Sequence, residues 1–281
     1  MLRLETETGY WLITHPDHAR LAGAFATRWG NELFAKPRPR THVLHGIHVH
    51  DDGWVVRDSS PSITRQGKPS AFSHELVGKY SAFEEIDLAD YLAVRERAVE
   101  QVQAADPYAA LLVSMHTYNL LTAHADRSTI APIQVPLLDA FLERQLQRQD
   151  DLRTRIRANP DLTAEDTSDV TILSNFRLLQ ACDNLSLLSC VAFVKPATLL
   201  HPLPTNDGGT TTVAVSAIAP RHFRLEPYPF DEPNLIFEVP ARHVEGHTFA
   251  SSAELSEKFA AAKVEGLTVT VSPWVDGVVL V

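Results

Sequence analysis

The densest run of ligand-type side chains in the chain is His48-Val49-His50-Asp51-Asp52-Gly53-Trp54. An imidazole beside a carboxylate offers a nitrogen and an oxygen donor to one cation, or one to each of two. That mixture suits Zn, Fe or Mn. The dipeptide alone says little, but its wider setting adds to it. His18 shares a helical face with Leu21, Ala22, Phe25 and Trp29, and His116 has Leu112 and Leu120 at i±4. Asp183 lies between Leu179 and Leu187 on the most apolar stripe of its segment. An ionised carboxylate in such a place must be neutralised, paired or bound to metal. His and Asp side chains projecting inward from separate helices are how helical bundles build metal centres.

The chain has 13 histidines in 281 residues. His42, His45 and His48 recur every third residue and read as one solvated face or as a surround of the ligands. His15, His201, His222, His243 and His247 fall in strand or loop contexts and read as surface groups. Asp58 reads as a cap for the turn Ser59-Ser60-Pro61 in preference to a side chain reaching the pocket, Trp54 as a pocket wall, and Cys182 and Cys190 as core residues. Arg20, Lys68 and Lys79 read as solvated charges.

The elements that must position these groups are mostly helices. A short hairpin over residues 1–14 precedes a helix opened by Asp17, and a second helix runs from about Thr41 to Asp51, broken by Gly53. Trp54 to Pro69 reads as loop. Further helices are expected at Ser73–Lys79, Leu88–Ala105, Pro107–Thr122, Leu137–Ala158 and Ser168–Val191. After Pro196 the pattern turns to strands at 210–217, 222–227, 235–239 and 267–272, with one helix, Ala253–Lys263, capped by Ser251. The expectation is a mainly α, essentially all-α, single domain over 1–281. Its helical body spans 15–195, with a small antiparallel β-sheet built from the N- and C-terminal segments, 1–14 and 205–281.

Composition narrows the function. With 35 acidic against 25 basic side chains, the net charge is −10, which disfavours nucleic acid and anionic membranes as partners. Two cysteines exclude a disulfide scaffold and most thiolate metal sites. The charged start and the lack of a long apolar run suggest a cytoplasmic protein. No P-loop, dinucleotide-binding, nucleophile-elbow or His-Glu-x-x-His motif occurs.

Taken in order, His18, the pair His50-Asp51, His116 and Asp183 resemble the HD superfamily of metal-dependent phosphohydrolases. In that superfamily a helix-borne His is followed by a His-Asp pair, often by further His residues, and by a distant Asp. Asp17-His18-Ala19-Arg20-Leu21-Ala22 looks like the first helix of such domains, and Cys182-Asp183-Asn184-Leu185-Ser186-Leu187 like the last. The His-Asp-Asp-Gly-Trp variant, with its leading hairpin and trailing β segment, is similar to an uncharacterised bacterial family near that superfamily. Two departures stand out. HD enzymes usually follow the pair with a hydrophobic residue, Gly and Lys, whereas Asp52, Gly53 and Trp54 follow here, which puts phosphate binding by that lysine in doubt. The long interval from Asp51 to Asp183 also implies insertions.

The resemblance implies one or two divalent ions (Fe, Mn or Zn) held by His18, His50, Asp51, His116 and Asp183, with His74 as the additional ligand. His124, two turns beyond His116, is the less favoured alternative. It further implies hydrolysis of a phosphate-ester or nucleotide-like small molecule by metal-activated water, with Asp52 or a free histidine as candidate general base. Two alternatives stay open: a di-iron oxygenase needing both His74 and His116, and a non-catalytic metal-binding or sensor protein. The partner expected is a small anionic substrate, and a homodimer is allowed for.

Overall fold

The structure, a computed structural model, describes residues 1–76, 87–123 and 125–274, and within these the side chain of His74 lies outside the description. Two antiparallel strands, Leu2–Glu5 (β1) and Gly9–Ile13 (β2), lead directly into helix α1 (His15–Arg28). Thr14, rather than Asp17, caps this helix. Its hydroxyl accepts from the Asp17 N–H and donates to the Asp17 carboxylate, and Pro16 occupies the first turn, where its missing N–H costs nothing.

Helix α2 (Arg40–Val49) ends before His50, and a 3₁₀ turn at Asp52–Trp54 and a single helical turn, α3 (Val55–Asp58), follow. The stretch expected as loop from Trp54 therefore begins as helix. His74–Leu76 forms a 3₁₀ turn where a helix to Lys79 was expected, and residues 77–79 lie outside the described residues. Four long helices come next: α4 (Leu88–Gln103), α5 (Pro107–Thr122), α6 (Val135–Arg157) and α7 (Asp169–Cys190). Asp87, Asp106 and Ser168 cap α4, α5 and α7 through side-chain oxygens. α7 is buried along most of its length and packs on α1, α2 and α5.

Short strands follow at Ala197–Thr198 (β3), Leu203–Pro204 (β4) and Thr210–Thr211 (β5), then Ala214–Ala219 (β6), His222–Glu226 (β7) and Leu235–Glu245 (β8). Helix α8 (Ser252–Ala261) and Val264–Pro273 (β9) complete the described chain. β4 and β5 pair with each other, and the other seven strands form one sheet in the order β1-β2-β8-β9-β7-β6-β3. Every neighbouring pair in it is antiparallel except β7 with β9, which is parallel.

This large mixed sheet overturns the expectation of a mainly α, all-α-like fold with a small antiparallel sheet. Two local signals were misleading. The strands expected at 235–239 and 267–272 stop just short of Pro240 and Gly266, yet these two residues face each other inside the β8–β9 ladder. β2 pairs only with residues 242–245 of β8, so Pro240 stands where β8 has a single neighbour and a missing donor is tolerated. The parallel β7–β9 pair arises because β8 and α8 intervene in sequence, a crossover that local pattern does not encode. No helix among the described residues is long and apolar enough to cross a membrane.

Candidate metal centre

The site lies where α1, the end of α2, α5 and α7 meet, with α4 closing one side. His18 sits on the buried face of α1 beside Leu21, Ala22 and Phe25. At the end of α2, His50 keeps helical backbone angles, but Asp51 departs from them (φ −115°, ψ 17°). In a regular helix adjacent side chains diverge by about 100°. The break at Asp51 instead leaves the His50 Nε2 and Asp51 Oδ2 atoms 3.9 Å apart. Gly53 allows α4 to approach, since a Cβ there would lie 2.2 Å from the Val94 carbonyl oxygen and 2.8 Å from the Ala98 nitrogen. α5 presents His116 and α7 presents Asp183 into the same interior.

All five residues are buried: His18 1 %, His50 0 %, Asp51 4 %, His116 2 % and Asp183 6 % exposed. His18 Nε2 is 3.0 Å from Asp51 Oδ2, and its Nδ1 is 2.9 Å from the Ser186 hydroxyl. His50 Nδ1 donates to the Ile47 carbonyl at 2.7 Å, which directs Nε2 toward Asp183 Oδ1 at 3.2 Å. The rings of His18, His50 and His116 succeed one another edge to face, at 5.3 and 5.2 Å between centroids. Among the described residues, two groups have the donors and spacing that could hold a metal ion: His18, His50 and Asp51, and His50, His116 and Asp183. Within each, one donor atom per residue lies within 4.8 Å of the others.

Electrostatics divides the five unequally. Burial disfavours ionised Asp51, but the Arg95 guanidinium and His50 overcome it and hold the carboxyl well below its usual range. Burial works likewise against ionised Asp183, and its hydrogen bond with His50 prevails. His50, desolvated but facing both carboxylates, is pushed up to about 9. His116 is pushed down to about 3, mainly by burial, and is a neutral imidazole at ordinary pH. Its Nδ1 has no hydrogen-bond partner among the described residues, and its Nε2 lies 3.9 Å from Asp183 Oδ2, beyond hydrogen-bond reach.

Other sequence-derived candidates lie elsewhere. Asp52 forms an ion pair with Arg20 at 2.5 Å, with 22 % of its side chain exposed, and belongs to neither donor group. The side chain of His74, and His124 altogether, lie outside the described residues. His42 and His45 both bind the Asp106 carboxylate, at 2.9 and 2.8 Å, and so tie α2 to the start of α5. Asp58 caps no surface turn. It is buried and takes hydrogen bonds from the His15 backbone N–H and the Met1 amino group and pairs with the His15 ring. His15 is correspondingly no surface group, since it stacks on Trp54 at 4.1 Å and burial pushes it down to about 4. Cys182 and Cys190 are buried, and burial raises both thiols.

Two contributors escaped the sequence reading. Ser186, one turn beyond Asp183, orients His18. Arg95 on α4 is 6 % exposed and donates to Asp51 Oδ1 at 2.5 Å and to the Tyr91 hydroxyl at 3.0 Å. Its guanidinium carbon lies 5.5 Å from the Trp54 ring centre and 5.1 Å from that of Tyr91. A signal did exist, for Tyr91 and Val99 flank Arg95 at i±4 as leucines flank Asp183.

Neither a curated protein nor a solved structure matches this chain. A family model does, described as "Protein of unknown function (DUF3891)", over residues 1–246, which takes in all five donors and Arg95. The chain therefore belongs to the DUF3891 family.

Proposed function

We propose that the buried His-Asp cluster binds a divalent cation and that the protein is a metal-dependent hydrolase of a small anionic molecule such as a phosphate ester. The observation that carries this reading is His116. Its neutral imidazole is sealed in the interior with Nε2 3.9 Å from Asp183 Oδ2, out of hydrogen-bond range, and with Nδ1 unsatisfied among the described residues, which costs about 1–3 kcal/mol. A cation shared with His50 and Asp183 would give Nε2 its partner. The donor set supports the same reading, because neutral imidazoles and carboxylates suit Zn, Fe or Mn, and Ser186 and the Ile47 carbonyl orient two of the rings. So does the order His, His-Asp, His, Asp, which resembles the HD superfamily.

His18, His50, Asp51, His116 and Asp183 would hold the ion, and a bound ion of this kind supplies a water whose pKa is lowered to about 7. The chain's own part is to bury the donors, keep both carboxylates ionised and exclude bulk water. The test has two stages. Purified protein is assayed for metal content, and then for hydrolysis of a simple phosphate monoester with added Mn²⁺, for wild type and Asp51→Ala. The reading expects bound metal and turnover that Asp51→Ala abolishes. No bound metal, and no change in melting on adding Mn²⁺, Fe²⁺ or Zn²⁺, would overturn it. The burial of every donor favours a second reading, a purely structural ion, and metal held without turnover would select it.

A further inference from the structure

We infer that the centre takes one metal ion rather than two, and that the Arg95 guanidinium occupies the place a second cation would take, so that ion and Arg95 together receive an oxyanion of the ligand. This rests on the metal-binding reading above and adds to it the number of ions and the chemistry of the ligand.

Donor counting comes first. The two donor groups share His50, which has only Nε2 to offer because Nδ1 is committed to the Ile47 carbonyl. One imidazole nitrogen cannot serve two ions. His18 likewise has Nδ1 engaged with Ser186 and only Nε2 facing Asp51. Centres with two metals commonly join the ions through a bridging carboxylate. Here Asp51 already bridges two groups. Oδ2 faces His18 at 3.0 Å and lies 3.9 Å from His50 Nε2, while Oδ1 is taken by Arg95 Nη1 at 2.5 Å. The guanidinium is thus on the oxygen a second ion would need.

Charge leads to the same count. Asp51 and Asp183 carry −2 and Arg95, always protonated, carries +1. With neutral histidines, one divalent ion leaves the centre at +1 and two would leave it at +3 in a buried interior, an uncompensated charge that proteins avoid. The remaining single positive charge matches one anionic ligand.

Arg95 is equipped to bind it. Its only hydrogen bonds among the described residues run from Nε to Tyr91 and from Nη1 to Asp51, so Nη2 meets no acceptor among them. Trp54, whose ring centre lies 5.5 Å from that guanidinium, has its buried Nε1 donor unsatisfied as well. The Trp54 and Tyr91 rings, whose centres are 5.8 Å apart, both neighbour the guanidinium, and a guanidinium with an N–H to spare suits a planar or tetrahedral oxyanion. A basic group for the ligand is therefore supplied by α4, whereas Asp52, Gly53 and Trp54, which directly follow His50-Asp51, include none.

The experiment combines metal counting with anion titration. Metal-free protein is titrated with Mn²⁺ by calorimetry, and the loaded protein with inorganic phosphate or with acetate, for wild type, Arg95→Lys and Arg95→Gln. Thermal melts of each establish that it is folded. The inference expects one ion per chain in wild type, and binding of at least one anion that weakens about 10- to 100-fold in Arg95→Gln, the loss of a charge-assisted contact, with partial rescue in Arg95→Lys. The better-bound anion distinguishes a phosphate-type from a carboxylate-type ligand. Two ions per chain, or anion affinity unchanged in folded Arg95→Gln, would overturn the inference and leave the metal-binding reading intact. Absence of any Mn²⁺ binding to wild type would overturn that reading itself.

Discussion

Replacing His116 by leucine separates a metal ligand from an ordinary core residue, because the two roles predict opposite effects on the metal-free protein. The imidazole is 2 % exposed, neutral, and unpartnered at Nδ1 among the described residues. Relieving one unsatisfied buried nitrogen is worth about 1–3 kcal/mol, and an apolar group of similar volume gives back about 1 kcal/mol through imperfect fit. Metal-free His116→Leu should therefore be as stable as wild type or up to about 2 kcal/mol more stable, a rise in melting temperature of about 0–6 °C for a protein of this size. Metal reverses the order. At a Mn²⁺ concentration about 100 times its dissociation constant, wild type gains about 2.7 kcal/mol. Removing a donor should weaken binding by at least about 100-fold, the upper end seen for groups that merely orient ligands, so the variant gains about 0.4 kcal/mol at the same concentration. Melts of chelator-treated protein with and without Mn²⁺ read both numbers. A metal-free variant destabilised by more than about 1 kcal/mol, with an undiminished Mn²⁺ shift, would refute the reasoning and make His116 a packing residue.

Three further outcomes are expected. Gly53→Ala should destabilise by about 2 kcal/mol or more in urea unfolding, since its Cβ would meet the α4 backbone at 2.2 Å, and should weaken Mn²⁺ binding by displacing the helix that carries Arg95; a cost under about 0.5 kcal/mol would contradict this. Asp106→Ala removes both the α5 cap and the shared partner of His42 and His45, for a loss of about 1–2 kcal/mol by the same assay. His15 is held neutral, so the unfolded chain takes up its proton first as pH falls below about 6.5, and the native state resists until about 4. Its contribution is complete above 6.5 and declines by up to about 3 kcal/mol on the way to pH 4. The stability difference between wild type and His15→Phe should therefore move against wild type over that interval, and parallel pH profiles would sink the assignment.

How much was legible follows the range of each signal. Helices α5 and α7 were readable nearly to the residue because their caps, Asp106 and Ser168, and their apolar spacing are local. The burial of His116 and Asp183 was readable for the same reason, since a polar residue with leucines at i±4 marks itself as buried. Arg95 carried that mark too, but within the run Arg95-Glu96-Arg97 it looked like part of a solvated charge cluster. Asp58 and His15 had no such mark. Their burial depends on β1 bringing Met1 against them, which neither segment announces.

Sequence by itself determined where most of the long helices lie, which side chains carry donor atoms for a cation, and that His18, His116 and Asp183 sit on apolar faces, because periodicity, capping and composition act within a few residues. Tertiary structure alone decided that seven strands join in one mixed sheet, that Pro240 is tolerated within it, and that Arg95 rather than a neighbouring lysine meets Asp51. It also decided that His116 keeps a nitrogen unpaired among the described residues. Those outcomes depend on pairings between segments tens to hundreds of residues apart, and the free energy of such a pairing belongs to both partners at once.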